Sequence, residues 1–421
     1  MRLTRGLASS FQQEQARALD ARWGGGAPQN LAWALRIVGR LDVRALASAL
    51  ARACARHEPL RAVAAAPCAS VAPPLHLVDL TGLPRPLAAA ALDRRCRSEA
   101  ARPLEPVAEP ARATLLALGP LEHVLVWVAH RGAFDARSLP LLLAELAGRG
   151  GGACPAHAAY AAAQRGAAAE PAAAARLAAW LSDLARRPAL HLPAARPPGA
   201  PAAPAGGAAS HELAPATVRA VDGLAESHGL DLRALLHAAW AAVLHRHGAA
   251  DDVLVCLGVD GRTERFGRSI GGFEAVLPLP VDLAGGPTLA EAARATSAAL
   301  AAAEAGGWFA PAAAAAAVRA ERDGGLPVLR SALAVLPCGS PAGLGEHLVV
   351  RTRRLRDGQS RFDIGVEVEW GAGHGRVDAE YRLRRFDEAT VRRLLAEYEC
   401  LLREAARAPR RRLTERWPEA V

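Results

Sequence analysis

Alternating strand-like and helix-like segments predict an α/β fold of two lobes, each a mixed sheet flanked by helices. The 421 residues are enough for more than one domain. Both halves of the chain combine apolar, β-branched runs with stretches whose apolar residues recur at helical spacing. Residues 192–208 are rich in proline, alanine and glycine, which is typical of a linker. We therefore divide the chain into an N-terminal lobe, 1–191, this linker, and a C-terminal lobe, 209–421.

Local patterns predict the elements of the N-terminal lobe in order. Apolar runs predict strands at 31–41 and 124–128. Helical spacing of apolar residues predicts a helix at 43–56 and a short one at 138–146. An alanine-rich helix is expected to begin after Tyr160 and to continue through 177–184.

The C-terminal lobe repeats this mixture of elements. Helices are predicted at 215–228, 231–247, 289–305 and 390–406. Asp231 is placed to cap the second of these. Strands are predicted at 253–259, 273–281, 333–336, 348–353 and 363–370. No short repeat is visible, which argues against a solenoid.

The basic residues of this chain are all arginine. There are 51 of them, and they give a formal net charge of +9. Because alanine is also abundant throughout, we attribute the charge to coding bias rather than to phosphate binding, and we expect no nucleic-acid partner. The absence of lysine excludes Schiff-base enzymes and P-loop nucleotidases, since both need its amine.

Cysteine usage and hydropathy predict a cytoplasmic protein without a metal site or a membrane partner. The seven cysteines are scattered and form no CxxC pair, which favours a reducing compartment. The first fifteen residues lack the apolar core of a signal peptide. No run approaches the roughly 18 to 20 apolar residues that a membrane span needs.

Residues 130–136 carry the clearest functional pattern. They read His-Arg-Gly-Ala-Phe-Asp-Ala and follow the predicted strand at 124–128, so the motif is placed at a strand end. The segment resembles the HHxxxDG signature of nonribosomal peptide synthetase condensation domains and of related acyltransferases in the chloramphenicol-acetyltransferase-like superfamily. Arg131 stands where the family has its second histidine, and Ala136 where it has the closing glycine.

Other segments resemble the same family in the same order. Residues 56–61 match its RHExLR segment, and 10–17 loosely match its N-terminal SxAQxR segment. Further matches lie at 180–193, 252–262, 270–280 and 361–387, the last resembling a hairpin near the C-terminus. The resemblance therefore covers almost the whole chain.

The resemblance implies chloramphenicol-acetyltransferase-like lobes in a V shape, with a channel between them and the motif inside it. It implies substrates tethered to the 4'-phosphopantetheine of a carrier protein, and no cofactor bound by the chain itself. The expected partners are acyl or peptidyl carrier proteins. We also expect a free-standing monomer, as family relatives act as monomeric two-lobe units.

Three motif residues are the candidate catalytic residues: His130, Arg131 and Asp135. In the family the second motif histidine deprotonates or orients the attacking group, but freeing a proton site on Arg131 at pH 7 would cost roughly 8 kcal/mol. Arg131 could instead hold a carboxylate, a phosphate or a developing oxyanion. His130 is interpreted as a hydrogen-bonded core histidine, with a replacement base role as the alternative.

Arg56, Arg61 and Ala136 are predicted to support the site. In the family the motif aspartate pairs with a buried arginine, and we expect Arg61 to be the partner of Asp135, with Arg56 second. Ala136 adds a methyl group that strains the loop if the backbone has a positive φ, and otherwise narrows the channel floor.

Two functions fit this pattern. The first is transfer of a carrier-bound acyl or aminoacyl group to an amine or alcohol by an atypical site that lacks the second histidine. The alternative is a catalytically inactive condensation-like domain that recruits a tailoring enzyme or a carrier protein, as the HR form of the motif does in glycopeptide antibiotic assembly lines.

Overall fold

A computed structural model describes most of the chain. The described residues are 9–22, 30–61, 75–104, 108–152, 154–188, 190, 192, 205–248, 250–305, 309–322, 330–338, 342–343, 348–371 and 373–415. Within them the helices are α1 Phe11–Arg22, α2 Val43–Arg56, α3 Arg85–Ala101, α4 Ser138–Leu146, α5 His157–Ala169, α6 Pro171–Arg186, α7 Pro215–His228, α8 Leu232–Arg246, α9 Leu289–Glu304, α10 Phe309–Arg322 and α11 Glu388–Arg407. The strands are β1 Asn30–Val38, β2 Leu75–Asp79, β3 Ala111–Gly119, β4 Glu122–His130, β5 Gly206–Leu213, β6 Asp252–Asp260, β7 Glu274–Asp282, β8 Ser331–Pro337, β9 Ala342–Gly343, β10 Val349–Leu355, β11 Ile364–Gly371 and β12 His374–Arg382.

The strands form two mixed sheets of six strands each within the described residues. The first has the order β2-β3-β4-β1-β10-β9, and only its β2–β3 pair is parallel. The second has the order β5-β12-β11-β8-β6-β7, with β8 parallel to both β11 and β6. The predicted fold class, mixed sheets flanked by helices, is confirmed.

The chain divides into two compact units, and each unit is built from three separate stretches of the sequence. The first comprises Met1–Gly166, Arg262–Glu274 and Gly339–Asp357, and the second Ala167–Gly261, Ala275–Cys338 and Gly358–Val421. The prediction treated each lobe as one continuous stretch, 1–191 or 209–421, and those boundaries stay a prediction. Strand β10 is an example, because it lies late in the chain but belongs to the first unit and pairs with β1, with Ala32 opposite Leu355.

Alternation along the strands explains how the first sheet is covered on both faces. In β4, Leu125, Trp127 and Ala129 pack with α2 and α4. The intervening valines Val124, Val126 and Val128 pack instead against α3. Successive side chains of a strand point to opposite faces, so an uninterrupted apolar run is the expected sequence of a strand buried on both sides.

The second unit is built around a buried helix. Nearly every side chain of α8 is buried, as expected for a helix that is apolar on all sides. Hydrogen bonds join this helix to its neighbours: the Trp240 indole N–H donates to Ser331 Oγ at 2.9 Å. The Tyr398 hydroxyl of α11 donates to the Leu236 carbonyl at 3.0 Å. These bonds tie α8 to the sheet and to the C-terminal helix.

Most predicted elements are confirmed, and the differences have local causes. The strand predicted at 31–41 ends at Val38, because Gly39 has a φ of 128°. The single helix expected after Tyr160 is two helices, since Pro171 lacks the N–H needed to continue α5 and instead begins α6. Of the predicted linker, residues 193–204 lie outside the described residues, and 206–208 already belong to β5.

Candidate active site

The motif lies where the sequence places it, at the end of a buried strand. Strand β4 runs between β3 and β1 and ends at His130, which is opposite Asn30. The chain then turns through residues 131–137 and enters α4 at Ser138. We call residues 131–137 the motif loop.

His130 is buried and held by the motif loop itself. It is 4% exposed, and its Nδ1 accepts a hydrogen bond from the Gly132 N–H at 3.0 Å. In the neutral ring the proton is therefore on Nε2, since each imidazole nitrogen is either a donor or an acceptor. This geometry agrees with the interpretation of His130 as a hydrogen-bonded core histidine.

Asp135 is the hub of the motif loop. Its Oδ1 accepts from the Ser138 N–H at 2.9 Å, the Ser138 hydroxyl at 2.8 Å and Arg262 Nη2 at 2.8 Å. Its Oδ2 accepts from the Phe273 N–H at 3.0 Å. The side chains of Asp135 and Arg262 are each 4% exposed, so the charge is buried, paired and fully hydrogen-bonded. The carboxylate thereby joins two segments distant in sequence.

The prediction that Arg61 or Arg56 pairs with Asp135 is wrong, because Arg262 occupies that position. Arg61 donates to the Ala55 carbonyl at 3.3 Å in an exposed bond. Arg56 forms an ion pair with Glu145, with Nε 3.3 Å from Oε1, and donates to the Gly152 carbonyl. Arg56 is the last residue of α2 and Arg61 follows it by five positions, and both side chains are held by acceptors other than Asp135.

Arg262 is the site residue that sequence reasoning missed. Its Nε donates to the Ser269 carbonyl at 3.2 Å, and its guanidinium lies 4.4 Å from the centre of the Phe273 ring. The only signal in the sequence is its position at the end of the 252–262 segment. A pairing that spans 127 positions leaves no local pattern.

A second chain segment, residues 269–273, packs directly on the motif loop. A Cβ atom on Gly272 would lie 2.3 Å from the Arg131 carbonyl oxygen, so only glycine fits there. The Gly271 N–H donates to Ser138 Oγ at 3.1 Å. Arg131 and Ala136 are both partly exposed. Residues 269–273 therefore contact the backbone of the motif loop at Arg131 and the Ser138 side chain that follows it, while the Arg131 residue remains partly accessible to solvent.

The RHExLR segment holds the same segment, 269–273, from another side. His57 is 1% exposed, and its Nδ1 accepts from the Ile270 N–H at 3.1 Å. Burial lowers the pKa of His57, whereas the neighbouring Glu145 carboxylate acts to raise it. Glu58 accepts from the Ala158 N–H at 3.1 Å at the start of α5.

Helix α1, which sequence reasoning did not predict, also reaches the site. Gln12 Nε2 donates to the Tyr160 hydroxyl at 2.7 Å and to the Phe273 carbonyl at 2.9 Å. Gln13 Nε2 donates to the Gly132 carbonyl at 3.2 Å. Polar residues facing a buried site give α1 little apolar periodicity, which is why no helix was predicted there.

Neither a metal centre nor a membrane-spanning helix is present among the described residues. No group of three His, Cys, Asp or Glu side chains there is arranged to hold a metal ion. No helix in the described part of the chain is long and apolar enough to cross a membrane.

Comparison with known proteins places this geometry in a family. The family described as "Condensation domain" matches residues 10–308. This chain belongs to the condensation-domain family. The match includes the motif loop, the RHExLR segment and Arg262.

The relatives of this condensation-domain chain include large peptide and lipopeptide synthetases. It is 32% identical over 314 residues to the isonitrile lipopeptide synthase of Mycobacterium tuberculosis, covering 67% of this chain and 12% of that protein. It is 32% identical over 312 residues to phosphinothricin tripeptide synthetase PhsB of Streptomyces viridochromogenes, covering 68% of this chain and 26% of that protein. The chain thus spans a small part of the curated relatives it matches.

Solved structures share the condensation-domain fold over nearly the full length. The first condensation domain of the calcium-dependent antibiotic synthetase, in complex with a substrate analogue, has a TM-score of 0.77 and 22% identity, covering 98% of this chain and 99% of that one. The X-domain of teicoplanin biosynthesis, in a complex with OxyB, has a TM-score of 0.73 and 23% identity, covering 99% and 96%. At these identities the likeness establishes the fold.

Proposed function

We propose that this chain transfers an acyl or aminoacyl group, held as a thioester on a carrier protein, to an amine or alcohol in nonribosomal peptide biosynthesis. The observation that carries the proposal is the set of hydrogen bonds by which Asp135 holds the motif loop in place. Its carboxylate accepts four hydrogen bonds although the second motif histidine is absent. An amine is already nucleophilic towards a thioester, so a rigid loop that positions the two groups can supply much of the acceleration.

In this mechanism Arg131 stabilises charge and removes no proton. Its guanidinium remains protonated at any working pH, so it can donate to the oxyanion that develops on the thioester carbonyl. His130 is assigned a positioning role, because its Nδ1 already accepts from the Gly132 N–H. Ala136 follows Asp135 in the same loop, and Arg56 supports the neighbouring segment through Glu145.

We propose acyl or peptidyl carrier proteins as the partners, with the substrate on their 4'-phosphopantetheine arm. The likeness to peptide and lipopeptide synthetases supports this choice of substrate class. The division into lobes at residues 192–208 is part of the same proposal.

Recruitment is the second candidate function. The substitution of Arg131 for the second motif histidine favours it, and so does the fold likeness to an X-domain that has been solved in complex with OxyB. In that case the chain would bind a carrier protein or a tailoring enzyme without turning over the thioester.

Intact-protein mass spectrometry of acyl-loaded carrier proteins separates the two candidates. Wild type, Arg131→Ala and Arg131→His are compared, with Arg137→Ala as a control that removes the exposed arginine at the end of the same loop. Acyl transfer predicts product with wild type and Arg137→Ala, and a rate at least about 100-fold lower with Arg131→Ala. Carrier binding without turnover by wild type, together with activity gained by Arg131→His, would instead support recruitment.

A further inference from the structure

The side chains of a cysteine, a histidine and a glutamate are joined by two consecutive hydrogen bonds that do not involve Asp135. The Cys154 thiol donates to His57 Nδ1 over 3.1 Å, and His57 Nε2 donates to Glu145 Oε1 over 3.2 Å. Cys154 is partly exposed, whereas His57 is 1% exposed. All three residues belong to the first compact unit.

The order of these groups is that of an activated nucleophile. A base within hydrogen-bond reach of a thiol can take its proton, and a third group that binds the other ring nitrogen fixes the tautomer. Here the Glu145 carboxylate holds the proton on Nε2, which leaves the Nδ1 lone pair facing Cys154. Burial favours the neutral ring, so His57 is in the form that accepts a proton at neutral pH.

Three neighbouring residues affect the Glu145 carboxylate, the Cys154 thiol and the His57 ring. A Cβ atom on Gly150 would lie 2.1 Å from Glu145 Oε2, so the glycine leaves room for the carboxylate beside His57. Ser269 Oγ lies 3.8 Å from Cys154 Sγ, and its hydroxyl can turn to donate to a thiolate. The Ile270 N–H shares His57 Nδ1 at 3.1 Å and would lose this acceptor when the ring takes the thiol proton, so this bond opposes the transfer.

We propose that Cys154 is a nucleophilic thiol, activated by His57, that accepts acyl groups from thioesters. The choice of thioesters rests on the proposed function, whereas the activation of the thiol rests on the three side chains alone. Cys338, which is also partly exposed, provides the contrast, because burial and the nearby carboxylates of Glu369 and Glu212 raise its pKa.

The proposed step is a balanced exchange of one thioester for another. Cys154 Sγ attacks the carbonyl carbon as His57 Nδ1 takes the thiol proton. A new C–S bond to Cys154 forms, and the C–S bond to the donor thiol breaks. The departing thiolate receives the proton from His57, which returns to its neutral form. Oxidation states do not change, and no further reactant is consumed.

The test is peptide mass spectrometry of the full chain after incubation with octanoyl-N-acetylcysteamine, without carrier or acceptor. We expect an octanoyl adduct on Cys154 and none when Cys154→Ser is used. Cys338→Ser is the matched control and should leave the adduct unchanged. His57→Gln keeps an oxygen that can accept from Ile270 but provides no base, and should slow acylation by at least about 100-fold.

Because His57 is buried, each variant is checked for native circular dichroism, and Glu145→Gln is measured beside it. Glu145→Gln keeps an acceptor for Nε2–H but removes the charge, and a rate lowered by about 10-fold is expected. Absence of the Cys154 adduct, equal labelling of Cys338, or an undiminished rate in a folded His57→Gln or Glu145→Gln variant would overturn the proposal. Failure of acyl transfer from a loaded carrier protein to an amine or alcohol would overturn the proposed function and leave this adduct unaffected.

Discussion

Each compact unit buries an aspartate against an arginine, and the two centres differ in the donors that complete them. Asp135 lies 2.8 Å from Arg262, and its other donors are neutral groups of Ser138 and Phe273. Asp363 lies 3.2 Å from Arg382, and its second oxygen is shared by Arg330 at 2.9 Å and Arg385 at 3.4 Å. Besides one arginine, Asp135 therefore accepts from two backbone N–H groups and a hydroxyl, whereas Asp363 is paired with two further arginines.

This difference indicates what each centre does. The donors to Asp135 are Arg262, the Phe273 N–H and the first residue of α4, so the carboxylate links the start of α4 to a segment far along the chain. Asp363 precedes β11, Arg330 precedes β8 and Arg382 ends β12, so the second centre joins the ends of neighbouring strands. A buried ion pair says little about stability by itself, and its other partners show whether it positions a site or closes a sheet.

Removing either aspartate has the largest expected effect and tests the comparison directly. Asp135→Ala and Asp363→Ala each remove a counter-charge of a buried arginine, which should lower the free energy of unfolding by about 3–5 kcal/mol. Urea denaturation measures this loss. Acyl transfer per folded molecule should fall only for Asp135→Ala. An Asp135→Ala variant with unchanged stability would contradict its role as the hub of the motif loop.

Two glycines sharpen the comparison at the level of the backbone. In Gly272→Ala the new Cβ would lie 2.3 Å from the Arg131 carbonyl oxygen, and in Gly206→Ala 2.5 Å from the Gln359 carbonyl carbon. Backbone cannot yield as a flexible side chain can, so each change should cost about 3 kcal/mol. We expect only Gly272→Ala to reduce transfer by the folded protein. Gly166→Ala, with nothing within 4 Å of the new Cβ, is the control and should stabilise α5 slightly.

A buried histidine in each unit makes the stability depend on pH. Burial lowers the pKa of His157 and of His237 from 6.5 to about 4. The unfolded chain therefore binds more protons between these values, so the stabilisation is complete above about pH 6.5 and is lost as the pH falls towards 4. At pH 5 each histidine should cost about 2 kcal/mol, measured by urea denaturation at pH 5 and 7.

Single variants separate the two histidines. His157→Gln and His237→Gln should each remove about half of this pH dependence, whereas His76→Gln, at an exposed position, should leave it intact. Equal pH dependence in all three variants would show that other groups are responsible.

The smallest expected effects come from helix caps, one in each unit. The Asp42 carboxylate accepts from the Arg44 and Ala45 N–H groups at the start of α2, and Asp387 accepts from the Thr390 N–H at the start of α11. Each Asp→Ala change should cost about 1 kcal/mol in thermal or urea denaturation and leave transfer unaffected. A loss of transfer in Asp42→Ala would mean that α2 positions the site more directly than the bonds of His57 indicate.

Local elements could be predicted from the sequence because their causes are local. Helix α2 has the predicted bounds, since the apolar spacing and the capping residue Asp42 that define it both lie within fifteen consecutive residues. Asp231 caps α8 as predicted, accepting from the Arg233 N–H at 2.7 Å. The position of the motif at the end of β4 could also be predicted, because a continuous apolar run indicates a strand buried on both faces.

Partners distant in sequence could not be predicted. Arg61 is near His57 in the chain and was chosen for Asp135, but the carboxylate is bound by Arg262. The late strand β10 was expected with the C-terminal lobe, and it lies beside β1 instead. An arginine or an apolar strand carries the same local pattern whichever carboxylate or sheet edge it meets.

By itself, the sequence determined the α/β class, most helices and strands, the family and the position of the motif. Each of these depends on spacing and residue type over a short stretch of chain. Only the tertiary structure decided that Arg262 neutralises Asp135, that residues 269–273 lie on the motif loop, and that His57 stands between Cys154 and Glu145. Those contacts form when packed layers bring distant segments together, and no property of either segment alone selects its partner.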